Sequence, residues 1–397
     1  MDDFTAIIDQ LGGSLGLSAM ELVLAAVAVT FVIIIILGLL IGYWNVLSLI
    51  AYFAYPVARV KAIGNPLVDP QKVGQLVESK NLYDLATKLK NFGHPVDLHG
   101  EEPRMVEGLL MAFYYADYLK LEDSVPDSIK PFIKAYRCIL ESEQLKAAIR
   151  MKYAGIPLDV IRQELTAIGI MTPALIEKMS GAPTLDEMIL SLRQTEYGKP
   201  LSEALAAYKE NHTPLPLERA LDTYVFQNLN ASRLRIGSSI SGPVNRFIGA
   251  YIDIANIKTL IRAKNDGLTT DQVARYLISG GYRFPEWRLR QIYEYPNVPE
   301  MLSQFSGSEY YTSISKAMPL YEENGSIVPF ELELDRQLLS IASTLAQVYH
   351  LSGGPLIKFM VARMFEMRNA RLVFHGILRG IPGDDLKTYA ICEGTMQ

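Results

Sequence analysis

The sequence contains few cysteines and histidines, and this shortage limits the chemistry that the chain can perform. Cys138 and Cys392 are the two cysteines in 397 residues, too few for a disulfide framework or a cysteine-only zinc site. One segment holds two of the five histidines beside three acids: His94, Asp97, His99, Glu101 and Glu102. Because its histidines lack the i, i+4 spacing of helical metal ligands, we interpret this segment as a solvated loop and expect no metal ion.

Motifs typical of nucleotide-binding proteins and hydrolases are also missing. Gly237–Gly242 has the glycine spacing of a phosphate loop, but Pro243 and Val244 replace the required Lys and Ser or Thr. Gly12–Gly16 has the letters of a G-x-S-x-G elbow, yet it precedes an apolar segment instead of joining a strand to a helix. Cys138 has no histidine nearby in the sequence. We therefore predict no catalytic residue, no cofactor and no metal ligand.

Positive charge is not in excess, and it is missing from the start of the chain. Lys and Arg number 38 against 43 Asp and Glu, a net charge of −5. This balance disfavours general nucleic-acid binding. The first basic residue is Arg59, and four acids precede it: Asp2, Asp3, Asp9 and Glu21.

An uncharged apolar run follows these acids. Leu22–Tyr43 is long enough to cross a bilayer as a helix, whereas a cleaved signal peptide would have a basic start and a shorter core. The first positive charges, Arg59 and Lys61, lie on its carboxyl side, so the positive-inside rule places the C-terminal body in the cytoplasm. We predict a short acidic N-terminus over 1–18, then a single-pass transmembrane helix and link over 19–55.

The rest of the chain has the pattern of an all-α protein. Apolar residues recur at helical spacing, as in the face formed by Leu185, Met188, Ile189 and Leu192. Pro and Gly clusters interrupt such segments, and alternating β-branched stretches are scarce.

The body also contains an internal repeat. Similar phrases begin at Glu143 (EQLKAAIRMKYAGIP), Ala255 (ANIKTLIRAKNDGLT) and Arg368 (RNARLVFHGILRGIP). Four positions match in each copy: an acid upstream of the phrase, a first base, a second base that is a histidine in the last copy, and a glycine. In chain order they are Glu141, Lys146, Arg150 and Gly155; then Asp253, Lys258, Arg262 and Gly267; then Glu366, Arg371, His375 and Gly380. Two further phrases, PLERALD from Pro216 and PFELELD from Pro329, are separated by the same number of residues as the phrases from Ala255 and Arg368. A shorter copy, RVKAIGNPL, begins at Arg59.

The repeated phrase has a structural interpretation and a functional alternative. The glycine suits a helix end with positive φ, and the bases suit the last helical turns. We expect the upstream acid to pair with bases one turn on and the charged residues to join helices, with a ligand-binding role as the alternative. Repeated units can close around an axis. We predict helical repeats over 56–140, 141–252 and 253–397, the last with a closing helix.

Three stretches carry a resemblance to a known family: YPVARVKAIGN from Tyr55, YIDIANIKTLIRAKNDGLTTDQVARYLISGG from Tyr251, and MFEMRNARLVFHGILRGIP from Met364. Residues 55–397 resemble the C subunit of the archaeal-type (A-type) ATP synthase, a relative of the d subunit of the V-type ATPase. The resemblance implies a funnel of three similar helical domains about a pseudo-threefold axis. It also implies a non-catalytic rotor part that sits on the proteolipid (c/K) ring, receives the D and F subunits of the axle, and works with the A3B3 head and stator.

The apolar N-terminal segment departs from the family, whose usual member is soluble. The link of about a dozen residues before the first repeat suggests that this helix occupies the lumen of the ring, because a helix outside the ring would strike the stator. The alternative for the whole chain is a membrane-tethered helical scaffold unrelated to the rotor. An enzyme is a third reading, supported only by the false elbow and the histidine segment.

Overall fold

The computed structural model describes residues 16, 18–94 and 103–394. Among these residues every regular element is helical and no strand occurs, so the predicted all-α class is confirmed. The helices are α1 Ala19–Ile63, α2 Pro70–Val77, α3 Leu82–Asn91, α4 Pro103–Ser124, α5 Lys130–Tyr153, α6 Leu158–Glu164, α7 Pro173–Gly181, α8 Leu185–Ser191, α9 Gly198–Asn211, α10 Leu215–Ser232, α11 Ser238–Asn265, α12 Thr270–Ala274, α13 Glu286–Tyr293, α14 Val298–Ser303, α15 Tyr311–Asn324, α16 Val328–Val348, α17 Gly354–Leu378 and α18 Gly383–Tyr389. The chain divides into two compact units, Met1–Ala54 and Tyr55–Gln397.

Helix α1 is longer than the sequence pattern predicts. The apolar run was expected to end before Pro56, but the helix continues through this proline and ends at Ile63, ahead of Gly64 with φ of 108°. At 1.5 Å per residue it extends about 65 Å, more than the hydrocarbon core of a bilayer needs. Its segment Met20–Ile63 contains an 18-residue stretch with a mean hydropathy of 3.2 and is long and apolar enough to cross a membrane.

Two stretches of the second unit share one order of helices. The long helix α5 is followed by four shorter helices and then by α10, which packs against it. The long helix α11 is likewise followed by four shorter helices and then by α16, which packs against it and against α17. The repeated phrases lie at the carboxyl ends of the long helices α5, α11 and α17.

The three long helices end in the same way. Each is followed by a glycine with left-handed φ, namely Gly155 at 69°, Gly267 at 70° and Gly380 at 67°. The next residue donates its backbone N–H to a carbonyl of the last turn, as in Ile156 to Met151 at 3.0 Å and Ile381 to Gly376 at 2.9 Å. This arrangement satisfies carbonyls that a helix end leaves free and confirms the predicted helix stop.

A side-chain amide on each long helix holds a later segment of the chain. Asn256 of α11 exchanges two hydrogen bonds with the backbone of Ile278, both at 2.8 Å. Asn369 of α17 does the same with Ile391, at 2.7 and 2.9 Å. Gln144 of α5 accepts from the backbone of Thr166 at 2.9 Å. An asparagine of α17 therefore holds the segment after α18 in the same way that an asparagine of α11 holds Ile278.

The two ends of the second unit pack together. Helix α17 contacts α2, α3 and α4, and α18 contacts α2. The backbone N–H of Glu393 donates to the carbonyl of Val68 at 2.8 Å, and His94 lies 2.8 Å from Glu366. The N-terminal helices thus supply α17 with neighbours that α5 and α11 obtain from the helices that follow them.

The three long helices meet in their first halves. The rings of Tyr136 of α5 and Phe247 of α11 are 6.0 Å apart. The Tyr136 hydroxyl donates to the Met360 carbonyl of α17 at 3.5 Å, and that of Tyr118 on α4 donates to the same carbonyl at 2.7 Å. Beyond this apolar contact, a cavity opens between the helices.

Candidate functional site

The cavity between the long helices, called the central cavity below, has a volume of about 700 Å³. Apolar residues such as Ile139, Met364 and Leu372 line part of it. Ionisable residues of α5, α11, α16 and α17, and one that directly follows α17, line the rest: Glu143, Lys258, Arg262, Glu331, Asp335, Arg368, Arg371, His375 and Arg379. A cavity of this size with an apolar and charged lining can take the end of a helix or a helix pair.

Helices α11 and α16 place opposite charges across one wall of the cavity. The Lys258 ammonium lies 2.5 Å from Asp335, and Arg262 pairs with Glu331. Burial lowers the pKa of Lys258, and the neighbouring Asp335 carboxylate opposes this change. The pairs join two helices, as we expected of the repeated bases.

Helices α5 and α10 carry equivalent pairs. Lys146 lies 2.8 Å from Asp222 and 2.5 Å from Glu143, and Arg150 pairs with Glu218. Burial acts to lower the pKa of Lys146, but the two carboxylates outweigh it and raise that pKa. The acids of α10 lie in the PLERALD phrase, and those of α16 lie in the PFELELD phrase. Because the acids of these phrases and the bases of the long helices repeat with the same spacing, the sequence could have predicted that they pair.

Helix α17 carries more positive charge than its neighbours balance. Arg371 pairs with Glu107 of α4, and His375 lies 3.2 Å from the same carboxylate. Burial acts to raise the pKa of Glu107, but these two partners outweigh it and lower that pKa. Arg368 pairs with Asp335, which Lys258 already contacts.

The upstream acids do not pair with bases one turn on, and that prediction was wrong. Asp253 accepts hydrogen bonds from three backbone N–H groups, of residues 282–284, and from the Tyr310 hydroxyl at 2.9 Å. Glu141 accepts from the hydroxyls of Tyr115 and Tyr197, each at 3.1 Å. Burial raises the pKa of both carboxyl groups. These acids fix distant segments of the chain onto the long helices.

Glu366, the third upstream acid, contacts His94, and this contact shows that the interpretation of His94 as part of a solvated loop was wrong. His94 is only 3% exposed, and its Nε2 lies 2.8 Å from the buried Glu366, which also pairs with Arg363. The rest of the predicted segment, Asp97, His99, Glu101 and Glu102, lies outside the described residues. Sequence reasoning missed this contact because its two residues lie at opposite ends of the body, far apart along the chain.

In the described part of the chain, one group of side chains has ligand atoms close enough together to hold a metal ion. Atoms of Cys138, Glu141 and Glu196 all lie within 4.8 Å of one another. Burial raises the pKa of the Cys138 thiol to about 12, whereas a metal would need the thiolate. Glu196 accepts from the Tyr224 hydroxyl at 2.9 Å. We interpret the group as packing between α5 and its neighbours. The other cysteine, Cys392, is also buried.

Of the two false motifs, the structure describes only the first in full. Gly237–Gly242 is the start of helix α11, and Pro243 lies inside that helix. Gly12–Gly16 falls almost wholly outside the described residues.

The pKa of Glu141 is raised and that of Glu107 is lowered. The contributions of these two side chains to the stability of the fold should therefore change in opposite directions as the pH falls. The folded state binds the Glu141 proton more tightly than the unfolded state, whose pKa is near 4.5. As the pH falls from 8 towards 4.5, the wild type should therefore gain stability relative to Glu141→Gln. Each tenfold difference in proton affinity is worth about 1.4 kcal/mol. Chemical denaturation across this pH range measures the change.

Glu107→Gln is the matched control. The folded pKa of Glu107 is lowered, so the wild type should lose stability relative to this variant as the pH falls below 4.5. The same direction of change for both variants would contradict the assigned environments.

Comparison with known proteins identifies a family for this fold. The family model described as ATP synthase (C/AC39) subunit matches residues 56–389. The chain is 28% identical over 378 residues to the C subunit of the A-type ATP synthase of Methanosphaera stadtmanae, covering 94% of this chain and 96% of that protein. It is 27% identical over 348 residues to the protein of the same name from Methanocaldococcus jannaschii, covering 86% and 87%.

The two kinds of match differ at the N-terminus. The family model begins at residue 56, after the apolar run. The match to the Methanosphaera protein covers 94% of the chain and so necessarily reaches into Leu22–Tyr43. The apolar segment is therefore outside the family's common region but inside the similarity to this relative.

The all-helical body, the repeated charged helix ends and a family match over most of the chain agree with one another. This chain belongs to the ATP synthase (C/AC39) subunit family.

Proposed function

We propose that this chain is the central-stalk rotor subunit of an A-type ATP synthase. It couples the D and F subunits of the axle to the membrane proteolipid ring, so that rotation links ATP chemistry in the A3B3 head to ion transport. The observation that carries this proposal is the central cavity, which is open between the carboxyl halves of three long helices and closed by the contact of Tyr136, Phe247 and Met360.

The side chains of the cavity suit a mechanical role. Most of its charges already have partners in the chain, as in Lys258 with Asp335 and Arg262 with Glu331. Such pairs connect neighbouring helices, and the largely buried pair of Lys258 and Asp335 resists rearrangement because breaking it leaves an uncompensated charge. A part that transmits torque needs stiffness more than reactive groups. We accordingly propose a non-catalytic subunit without its own cofactor.

The proposed domain arrangement is three helical repeats about a pseudo-threefold axis, forming a funnel. Support comes from the equal helix ends at Gly155, Gly267 and Gly380 and from the equal amide contacts of Asn256 and Asn369. The boundaries remain those predicted from the sequence, 56–140, 141–252 and 253–397. In this arrangement the first and last parts of the body complete each other through contacts such as Glu393 with Val68.

Helix α1 is proposed to anchor the chain in the cell membrane as a single pass, with the body in the cytoplasm. The length and hydropathy of Met20–Ile63 support the span, and the position of Arg59 and Lys61 supports the orientation. Within the complex, the lumen of the ring is the position that avoids collision with the stator. The alternative of an unrelated tethered scaffold loses its support once the family is known.

A bulky side chain in the central cavity should uncouple the machine. Leu372→Trp adds volume to the lining where the axle would dock. We expect the assembled complex to keep ATP hydrolysis in the head but to lose most ATP-driven ion transport, as measured in reconstituted vesicles. Leu190→Trp, at an exposed position of α8, is the control and should leave coupling unchanged. Normal ion transport by Leu372→Trp, with the complex intact, would refute the docking site.

Photo-crosslinking from α1 tests the proposed anchor. A photoreactive residue at Ile35, which is 46% exposed, should form adducts with the inner helices of the proteolipid ring in the assembled complex. The same residue at Leu190 should give no ring adduct. Adducts with the membrane part of the stator alone would contradict the position in the ring lumen.

A further inference from the structure

A cavity with three similar walls poses an orientation problem. If the walls formed by α5, α11 and α17 were equivalent, an inserted axle could dock in three orientations, each a third of a turn apart. A rotor made that way would have no defined angle between axle and ring. Side chains that differ between the walls can remove this ambiguity.

Charge is the property that differs. The residue before the left-handed glycine is neutral on α5, acidic on α11 and basic on α17: Ala154, Asp266 and Arg379. At one more matched position the residue is acidic on α5, neutral on α11 and basic on α17: Glu143, Ala255 and Arg368. At both positions the residue of the α17 phrase is the basic one, and both of these arginines line the central cavity.

The excess charge on α17 is not neutralised within the described part of the chain. Arg371 and His375 share one carboxylate, Glu107. Arg368 shares Asp335 with Lys258. Arg379 lines the cavity, is exposed, and has no ion-pair partner among the described residues. By contrast, Lys146 on α5 has two carboxylates of its own.

The helix dipoles do not cancel this difference. The carboxyl end of each long helix carries partial negative charge, but all three helices end alike and contribute equally. The basic wall therefore remains distinct from the other two. An inserted partner with acidic groups on one side is attracted to that wall and repelled by Glu143 of α5, which also lines the cavity.

We propose that the basic wall of α17 sets the angular position of the axle by facing an acidic side of its foot. This inference rests on the proposed function, since it deepens the docking of the axle in the central cavity. The occupant is the end of a helical protein with carboxylates on one face. A small phosphate-bearing anion is the competing occupant that the experiment separates.

Charge reversal of Arg379 tests the orientation. Arg379 forms no ion pair within the described chain, so Arg379→Asp should leave the fold intact. We expect the affinity of the full chain for purified D and F subunits to fall at least tenfold at low salt, with a smaller effect at high salt. Arg235→Asp, at an exposed position before α11, is the matched control and should bind as the wild type does.

Arg379→Asp also distinguishes the inference from the proposed function. Equal affinity of Arg379→Asp and the wild type would overturn the inference while leaving axle docking in place. Failure of the wild type to bind D and F would instead refute the proposed function.

Inorganic phosphate separates the competing occupant. Titration of phosphate into the full chain without D and F should give no saturable binding at millimolar concentration. Two results together would show that the basic wall binds a small anion and not the axle. They are saturable phosphate binding that Arg379→Asp abolishes and an unchanged affinity of that variant for D and F.

Discussion

The contact of Tyr136, Phe247 and Met360 determines the arrangement of the rest of the body. It brings α5, α11 and α17 together in their first halves, so that their charged carboxyl ends surround a space. Closing that space would require stripping water from the charged groups, at a cost of several kcal/mol per ion even after relaxation. Apolar packing at one end and charge at the other therefore maintain the central cavity, into which the axle is proposed to dock.

The local features of the fold were predictable, because they depend on near neighbours in the sequence. A helix end needs a glycine with left-handed φ, and Gly155 and Gly267 supply it. The period of apolar residues predicted the helices, and phrases such as that from Tyr251 led to the family. Helix α1 passing through Pro56 was missed, because a proline removes one hydrogen bond without always ending a helix.

Several contacts between distant parts of the chain were not predictable. His94 reads as a loop residue from its acidic surroundings in sequence, yet the fold buries it against Glu366. The upstream acid Asp253 looked like an ion-pair partner, but a backbone turn and a tyrosine hydroxyl satisfy it instead. The shared carboxylate Glu107 reaches α17 from the opposite end of the unit. For these contacts, unlike the ion pairs of α5 with α10 and of α11 with α16, no periodic pattern in the sequence indicates which distant segment supplies the partner.

The central claim is that the axle enters the cavity, and the accessibility of its lining measures this directly. Met364 lines the cavity near the helix contact, while both natural cysteines are buried. The rate at which a maleimide modifies Met364→Cys should fall at least tenfold when the D and F subunits are added. An unchanged rate in a complex shown to contain all three proteins would place the axle elsewhere and contradict the account.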